Sequence, residues 1–100
     1  QIIGVQPVEG CQIAGMRNWS PQYLPEIYDP GLIDDVVEIS PELADETARR
    51  LTQEEGIFAG ISSGAAVAAA LRVGRRVGNA VIATIACDRG ERYLSTGLYD

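Results

Sequence analysis

The amino-acid sequence predicts an α/β fold, a three-layer αβα sandwich built on a largely parallel sheet. Apolar runs and helical segments follow one another in the order strand, loop, strand, helix, strand, helix, strand. The last apolar run, Ala80–Ala86, shows no polar alternation, which is typical of a central parallel strand covered on both faces. A chain of 100 residues has room for one small domain, and we expect residues 1–100 to form a single, partial one.

The first helix has clear signals at both ends. Ser40 is a good N-cap, Pro41 suits the first helical position and Gly56 is a good stop. One face carries an apolar stripe for the core, and the solvent face carries two acid-before-base pairs, Asp45 with Arg49 and Glu46 with Arg50. A second helix is predicted from about Ala65 to Val77, after a tight turn at residues 62–64.

The loops are the expected place for a ligand. The other predicted strands are Gln1–Gln6, Val36–Ile39 and Ile57–Ile61. Residues 10–32 are irregular, and a loop of that length is unusual in a compact domain unless it is functional. Ligands of open α/β sheets bind beyond the carboxyl ends of strands, which points to the turns at residues 62–64 and 87–90.

Composition and charge exclude several classes of function. The net charge is −6, which argues against binding to nucleic acid or to an anionic membrane. The chain has no His, the commonest general base and transition-metal ligand, so we expect no metal site. It has no Lys either, so it cannot bond an aldehyde through an amine. Cys11 and Cys87 fit two reduced thiols of a cytoplasmic protein, and the longest apolar run, Ala65–Leu71, is too short to span a bilayer.

Residues 60–64 (GISSG) fit the G-x-S-x-G pattern, which leaves three interpretations open. The two serines could cap the second helix. They could form a ligand cradle, in which the Ser62 hydroxyl bonds a ring nitrogen. Ser62 could also be the nucleophile of a hydrolase, although that needs a His general base from outside the chain.

Several segments resemble the cysteine synthases, or O-acetylserine sulfhydrylases. These are Glu55–Leu71 (EGIFAGISSGAAVAAAL) and Cys87–Leu98 (CDRGERYLSTGL). The B type of this family is indicated by Cys-Asp-Arg-Gly at residues 87–90, by Gly4–Gly10 and by Ile13–Trp19. The resemblance extends over the whole chain and implies a C-terminal segment of the catalytic domain of a fold type II pyridoxal-phosphate enzyme.

The resemblance also implies which residues lie beside the cofactor, pyridoxal 5'-phosphate. Ser62, which follows Gly60 in the motif, matches the serine that hydrogen-bonds the pyridine nitrogen. Gly15 matches a glycine that lets the backbone approach cofactor and substrate. Cys87 and Asp88 match residues close to the cofactor. Cys87 is then either a reactive thiol or a buried small hydrophobe, and Asp88 either positions the substrate amine or a ring substituent, or only forms a turn.

Arg17 and Trp19 match a segment of the B type that recognises the sulfur donor. The family pattern there is Arg-Arg-Trp, and Asn18 replaces its second Arg, which weakens the case for thiosulfate over sulfide. The implied substrates are O-acetylserine and one of these donors, and the implied state is a cytoplasmic homodimer of the full-length protein.

The resemblance places the Schiff-base lysine and the phosphate-binding loop outside these 100 residues, so we expect the chain alone to be inactive. No catalytic residue is assigned within it. Two alternatives remain at this point. One is a serine hydrolase fragment built on the GxSxG elbow, and the other is a non-catalytic α/β interaction module whose exposed strand edges bind a partner.

Overall fold

The computed structural model describes all of residues 1–100. It contains two strands, β1 (Ile3–Pro7) and β2 (Asp35–Ile39), and two helices, α1 (Pro41–Glu55) and α2 (Ile61–Val77). Three short 3-10 segments complete it, at Pro21–Tyr23, Pro30–Leu32 and Gly90–Thr96. Both helices follow β2, and the 27-residue connection between the strands contains the irregular loop predicted from the sequence.

The sheet is parallel and places the core between strands and helices. β1 pairs with β2 so that Val5 lies opposite Val37 and Pro7 opposite Ile39. Helix α2 packs against both strands and against α1. Ile39 is fully buried, and small residues of the helices, such as Ala65 and Ala69, complete the core around it. The predicted α/β class with a parallel sheet is therefore confirmed.

Helix α1 forms where the sequence predicts it. The Ser40 hydroxyl accepts a hydrogen bond from the Leu43 amide at 3.3 Å, and Gly56 ends the helix with φ +69°. The two predicted surface pairs are wrong. Arg50 instead pairs with Glu54, one turn further on, at 2.8 Å. Arg49 donates to the Leu98 carbonyl at 3.3 Å, because the C-terminal segment packs beside it and offers an acceptor.

Helix α2 starts earlier than predicted and takes the place of the expected tight turn at residues 62–64. Its N-cap is Gly60 and its first residue is Ile61, so both serines lie within the first turn. The expected strand Ile57–Ile61 does not form, because a short apolar run does not by itself specify a strand. Its only pairing is an isolated antiparallel bridge between Ala59 and Arg89. The helix ends at Val77, as predicted, and its C-cap is Gly78 with φ +71°.

The segment Ala80–Ala86 does not form the predicted central strand. The sheet consists of β1 and β2 alone, so this segment has no neighbour with which to form a ladder. Its side chains lie in solvent, and Val81 is 100% exposed. After this segment, Gly90–Thr96 forms a 3-10 helix.

The two helices approach closely at one glycine. A Cβ added at Gly64 would overlap the backbone of α1 at Ala44 and Ala48. This contact fixes where the first turn of α2 lies. Neither helix is long and apolar enough to cross a membrane.

Candidate functional site

The first turn of α2 and the loop at residues 87–90 form one hydrogen-bonded unit. The Asp88 carboxylate accepts the Ser62 amide through Oδ2 at 3.1 Å and the Ser63 amide through Oδ1 at 3.0 Å. The loop is also held through its backbone, because the Gly60 amide donates to the Asp88 carbonyl at 3.2 Å. Two segments that are 25 residues apart in sequence are thereby fixed against each other.

Ser63 and Tyr93 complete the ring of donors around Asp88. The Ser63 hydroxyl donates to Asp88 Oδ1 at 2.5 Å, and the Tyr93 hydroxyl donates to Oδ2 at 2.9 Å. Neither residue was among the site residues predicted from the sequence. Ser63 lies inside the GISSG motif, which was a usable signal, but nothing in the sequence pairs Tyr93 with Asp88.

These contacts decide the ionisation of the cluster. Partial burial by itself raises the pKa of the Asp88 carboxyl. The hydrogen bonds from Ser63, Ser62 and Tyr93 favour the ionised form more strongly, and the pKa falls from 3.8 to about 2. Burial, together with the hydrogen bond to Asp88 and its negative charge, raises the pKa of the Tyr93 phenol. Asp88 is therefore an anion and Tyr93 a neutral donor over the physiological pH range.

Ser62 lies where the loop after β1 meets α2. It is 4% exposed, and a Cβ added at Gly15 would come within 3.3 Å of its hydroxyl oxygen. Gly15 has φ +81°, a conformation that glycine adopts without strain. The structure thus brings together two of the residues predicted to face the cofactor.

Cys87 is next to Ser62, with 3.1 Å between the thiol sulfur and the Ser62 hydroxyl oxygen. The residue is exposed, so the interpretation of Cys87 as a buried small hydrophobe is wrong. The reason is that the segment before it forms no strand and leaves it at the surface.

Gly60 is required by the same packing. A side chain there would overlap the Tyr93 ring and the Asp88 carboxylate. A serine or aspartate cannot occupy the N-cap position of α2 for this reason, and the helix has no capping side chain of its own.

Arg17 and Trp19 lie on the same loop as Gly15 but outside the Ser62–Asp88 cluster. The Arg17 guanidinium carbon is 5.3 Å from the centre of the Trp19 ring, within cation–π range. Both side chains are exposed, and they line an open groove formed by residues 9–20 with Pro7 and Tyr23. The groove has cationic and aromatic walls next to Gly15. No group of three His, Cys, Asp or Glu residues is arranged to hold a metal ion.

Two of the three interpretations of the GISSG motif do not fit this geometry. The serines do not cap α2, because the N-cap is Gly60. Ser62 is not at a strained elbow, since it has helical backbone and no residue other than glycine has positive φ. The third interpretation, a ligand cradle, stays a prediction.

Fold and site together define an α/β protein in which the loop after β1 meets the start of α2 beside the buried Ser62. A family model described as "Pyridoxal-phosphate dependent enzyme" matches residues 1–88. The chain therefore belongs to the family of pyridoxal-phosphate-dependent enzymes.

Its relatives include cysteine synthases. The chain is 55% identical over 100 residues to cysteine synthase B of Pseudomonas aeruginosa. The alignment covers 100% of this chain and 33% of the relative. It is 51% identical over 98 residues to cysteine synthase B of Escherichia coli, covering 98% of this chain and 32% of the relative. These matches confirm the resemblance stated from the sequence. The chain spans about a third of the length of these relatives.

Solved structures agree with the fold. A cysteine synthase from Entamoeba histolytica superimposes with a TM-score of 0.84 at 34% identity, covering 99% of this chain and 32% of that one. An O-ureido-L-serine synthase gives a TM-score of 0.77 at 37% identity, with 99% and 34% coverage. No similarity supports the hydrolase or the interaction module.

Proposed function

We propose that this chain is a cofactor-facing part of a B-type cysteine synthase. The reaction joins O-acetylserine to sulfide or thiosulfate, giving L-cysteine or S-sulfocysteine. The sulfur replaces the acetate at the β-carbon, and acetate leaves with its bonding electron pair. The observation that carries the proposal is the buried Ser62 hydroxyl at the start of α2, opposite Gly15.

The cradle fits the ring edge of pyridoxal phosphate. The only hydrogen-bond partner of the Ser62 hydroxyl is the Cys87 sulfur, a weak one, so its proton is available to a ring nitrogen. Gly15 contributes no side chain, and a Cβ there would press on this hydroxyl. The backbone at Gly15 therefore lies close to the Ser62 hydroxyl, with no side chain between them.

Pyridoxal phosphate, when bound, supplies an electron sink for bond breaking at the α- and β-carbons of an amino acid. Ser62 would donate a hydrogen bond to the pyridine nitrogen and keep its proton. A neutral hydroxyl leaves the nitrogen less positive than a carboxylate partner would, and this favours β-elimination over deeper carbanion chemistry.

Arg17 and Trp19 are proposed to recognise the sulfur donor. The guanidinium offers several N–H donors to an anion, and its position over the Trp19 ring holds it in place. An Asn18→Arg variant restores the Arg-Arg-Trp pattern. It is expected to raise kcat/KM for thiosulfate several-fold relative to sulfide, because it adds one charge-assisted donor.

The remaining parts of the proposal concern the whole protein. Because the chain has no lysine, the residue that bonds the cofactor covalently is proposed to lie in the part of the relatives' length that this chain does not span. We also propose a cytoplasmic homodimer that binds neither nucleic acid nor membrane. The net charge of −6 supports the lack of binding to these anionic partners.

A chimera tests the function directly. In it, this chain replaces the matching third of the Pseudomonas aeruginosa relative. The chimera is expected to bind pyridoxal phosphate with visible absorption and to form cysteine from O-acetylserine and sulfide. Ser62→Ala should shift the absorption and lower the elimination rate by about tenfold or more, as the loss of one donor to the cofactor would.

Ser95→Ala serves as the matched control, because Ser95 is exposed and lies in neither the loop after β1 nor the first turn of α2. It should leave both measurements unchanged. If Ser62→Ala behaves like Ser95→Ala, Ser62 does not contact the cofactor and the proposed role is wrong.

A further inference from the structure

The first turn of α2 has backbone donors that the helix itself cannot satisfy. The amides at a helix N-terminus have no partner four residues earlier, and an N-cap side chain usually accepts one of them. Here the N-cap is Gly60, which has no side chain and no room for one. The acceptors for Ser62 and Ser63 come instead from the loop at residues 87–90.

We propose that Asp88 is a positioning residue that caps α2 from a separate loop and thereby aims the Ser62 hydroxyl into the cradle. The role of the positioned Ser62 hydroxyl rests on the function proposed above. The cap itself does not, because all of its residues lie in this chain. It differs from the direct contact with cofactor or substrate that the resemblance implies for Asp88.

The number of donors around Asp88 carries the argument. Its two oxygens accept four hydrogen bonds, from the Ser62 amide, the Ser63 amide, the Ser63 hydroxyl and the Tyr93 hydroxyl. An ionised carboxylate has about four acceptor sites. All of them are occupied within the chain, so none is left for a substrate amine.

The same contacts explain how Asp88 acts on Ser62. Oδ2 holds the Ser62 amide at 3.1 Å, which fixes the backbone from which the hydroxyl projects. The Asp88 amide donates to the Ser63 hydroxyl at 3.2 Å, so the loop and the turn are locked in both directions. Cys87, the neighbour of Asp88, then lies 3.1 Å from the Ser62 hydroxyl. A shift of Asp88 would therefore move both the Ser62 hydroxyl and the Cys87 sulfur beside it.

Hydrogen exchange on the 100-residue chain tests the cap without cofactor. Asp88→Ala should speed amide exchange at Ser62 and Ser63 by about tenfold or more, because both amides lose their acceptor. Asp88→Asn should have a smaller effect, since one amide oxygen replaces two carboxylate oxygens. Tyr93→Phe removes a single donor to Oδ2 and serves as a milder variant if Asp88→Ala does not fold. It should speed amide exchange less than Asp88→Ala or Asp88→Asn.

Glu91→Gln is the matched control, because Glu91 lies in the adjoining segment and pairs only with the exposed Arg89 at 3.1 Å. It should leave the exchange at Ser62 and Ser63 unchanged. Unaltered exchange in both Asp88→Asn and Tyr93→Phe would overturn the cap.

The chimera tests the effect on Ser62. Asp88→Asn should shift the visible absorption of the bound cofactor in the same direction as Ser62→Ala and lower kcat with KM for O-acetylserine unchanged. In the Ser62→Ala background, Asp88→Asn should add nothing, because both changes act through one hydroxyl. A raised KM for O-acetylserine in both backgrounds, with an unshifted absorption, would show direct substrate contact and overturn the positioning role.

Failure of the proposed function has a different signature. A chimera that binds no pyridoxal phosphate contradicts the cysteine synthase proposal. The hydrogen-exchange result on Asp88 is decided independently, because it needs neither cofactor nor substrate.

Discussion

At the scale of single residues, one carboxylate organises the site. Asp88 joins the start of α2 to the following loop and to Tyr93, and these contacts keep it ionised although it is partly buried. Ser63, which the sequence offered only as a possible cap, gives two of the four donors. The residue next to the predicted contact is therefore as important to the geometry as Ser62 itself.

The ionisation of Asp88 predicts a loss of stability in acid. The folded-state pKa of about 2 lies below the usual 3.8, so the stabilisation is complete above about pH 4 and is lost as the pH falls toward 2. The shift corresponds to roughly 2 kcal/mol, and solvent screening reduces this to about 1 kcal/mol. Urea unfolding of the chain between pH 2 and pH 5 measures it.

Asp88→Asn should remove that part of the pH dependence. The difference between the two proteins is the relevant quantity, because the pKa of Glu54 is also lowered, by its hydrogen bond to Arg50. Equal pH profiles for the two proteins would contradict the lowered pKa of Asp88.

The conformation of Gly15 predicts a second effect at this scale. Gly15→Ala should cost about 1 to 2 kcal/mol, because φ is +81°, and should also displace the Ser62 hydroxyl. Gly10→Ala is the matched control, with φ +80° and nothing within 4 Å of the added Cβ. Both variants should lose similar stability in urea, and only Gly15→Ala should weaken cofactor binding in the chimera. Equal cofactor affinity in the two variants would mean that Gly15 does not lie beside the cofactor.

At the scale of elements, the contact between α1 and α2 sets the position of the site. Gly64 in the first turn of α2 allows the helix to rest on the backbone of α1 at Ala44 and Ala48. Ser62 lies two residues before this contact, so any change in helix spacing moves its hydroxyl. The small residues of α2 thus have a geometric role as well as a packing role.

Two glycines in α2 give a matched test of this contact. Gly64→Ala should destabilise the chain by about 1 to 3 kcal/mol, because the added methyl overlaps the backbone of α1. Gly74→Ala meets only the flexible end of Ile82 at 3.4 Å and should stabilise α2 by about 0.5 to 1 kcal/mol. Denaturant unfolding of both variants measures the difference. The same sign for both changes would contradict the close helix contact.

At the scale of the whole molecule, an apolar segment lies open to solvent. Val81 is 100% and Ile85 77% exposed, in the run that the sequence predicts as a central strand. Such a run is costly to hydrate and favours association. The relatives are about three times as long as this chain, and in the chimera we expect the rest of the relative to cover the segment.

A double substitution, Val81→Ser with Ile85→Ser, should act differently in the 100-residue chain, where the segment is exposed, and in the chimera, where we expect it to be covered. In the 100-residue chain it should reduce self-association, measured by sedimentation, with little change in unfolding. In the chimera it should destabilise the protein by about 2 kcal/mol or more, because it removes buried apolar groups. Unchanged stability of the chimera would mean that the segment stays at the surface.

The fold was predictable where local signals were strong. Ser40 and Gly56 bound α1 in the sequence and in the structure, because capping depends on residues within one turn. The absence of a strand at Ala80–Ala86 was not predictable, because apolar residues allow a strand but only a neighbouring strand makes one. The predicted pair of Arg49 with Asp45 was wrong for a related reason, since an acceptor from another segment competes with the local one.

The sequence by itself determined the family, the start and end of α1 and the presence of Ser62, Gly15 and Asp88, since these follow from residue identities and short-range spacing. The tertiary structure alone decided that Gly60 caps α2 without a side chain and that Asp88 supplies the missing acceptors. The physical reason is that a hydrogen bond between segments 25 residues apart depends on how the chain folds back on itself, and spacing along the chain does not encode that distance.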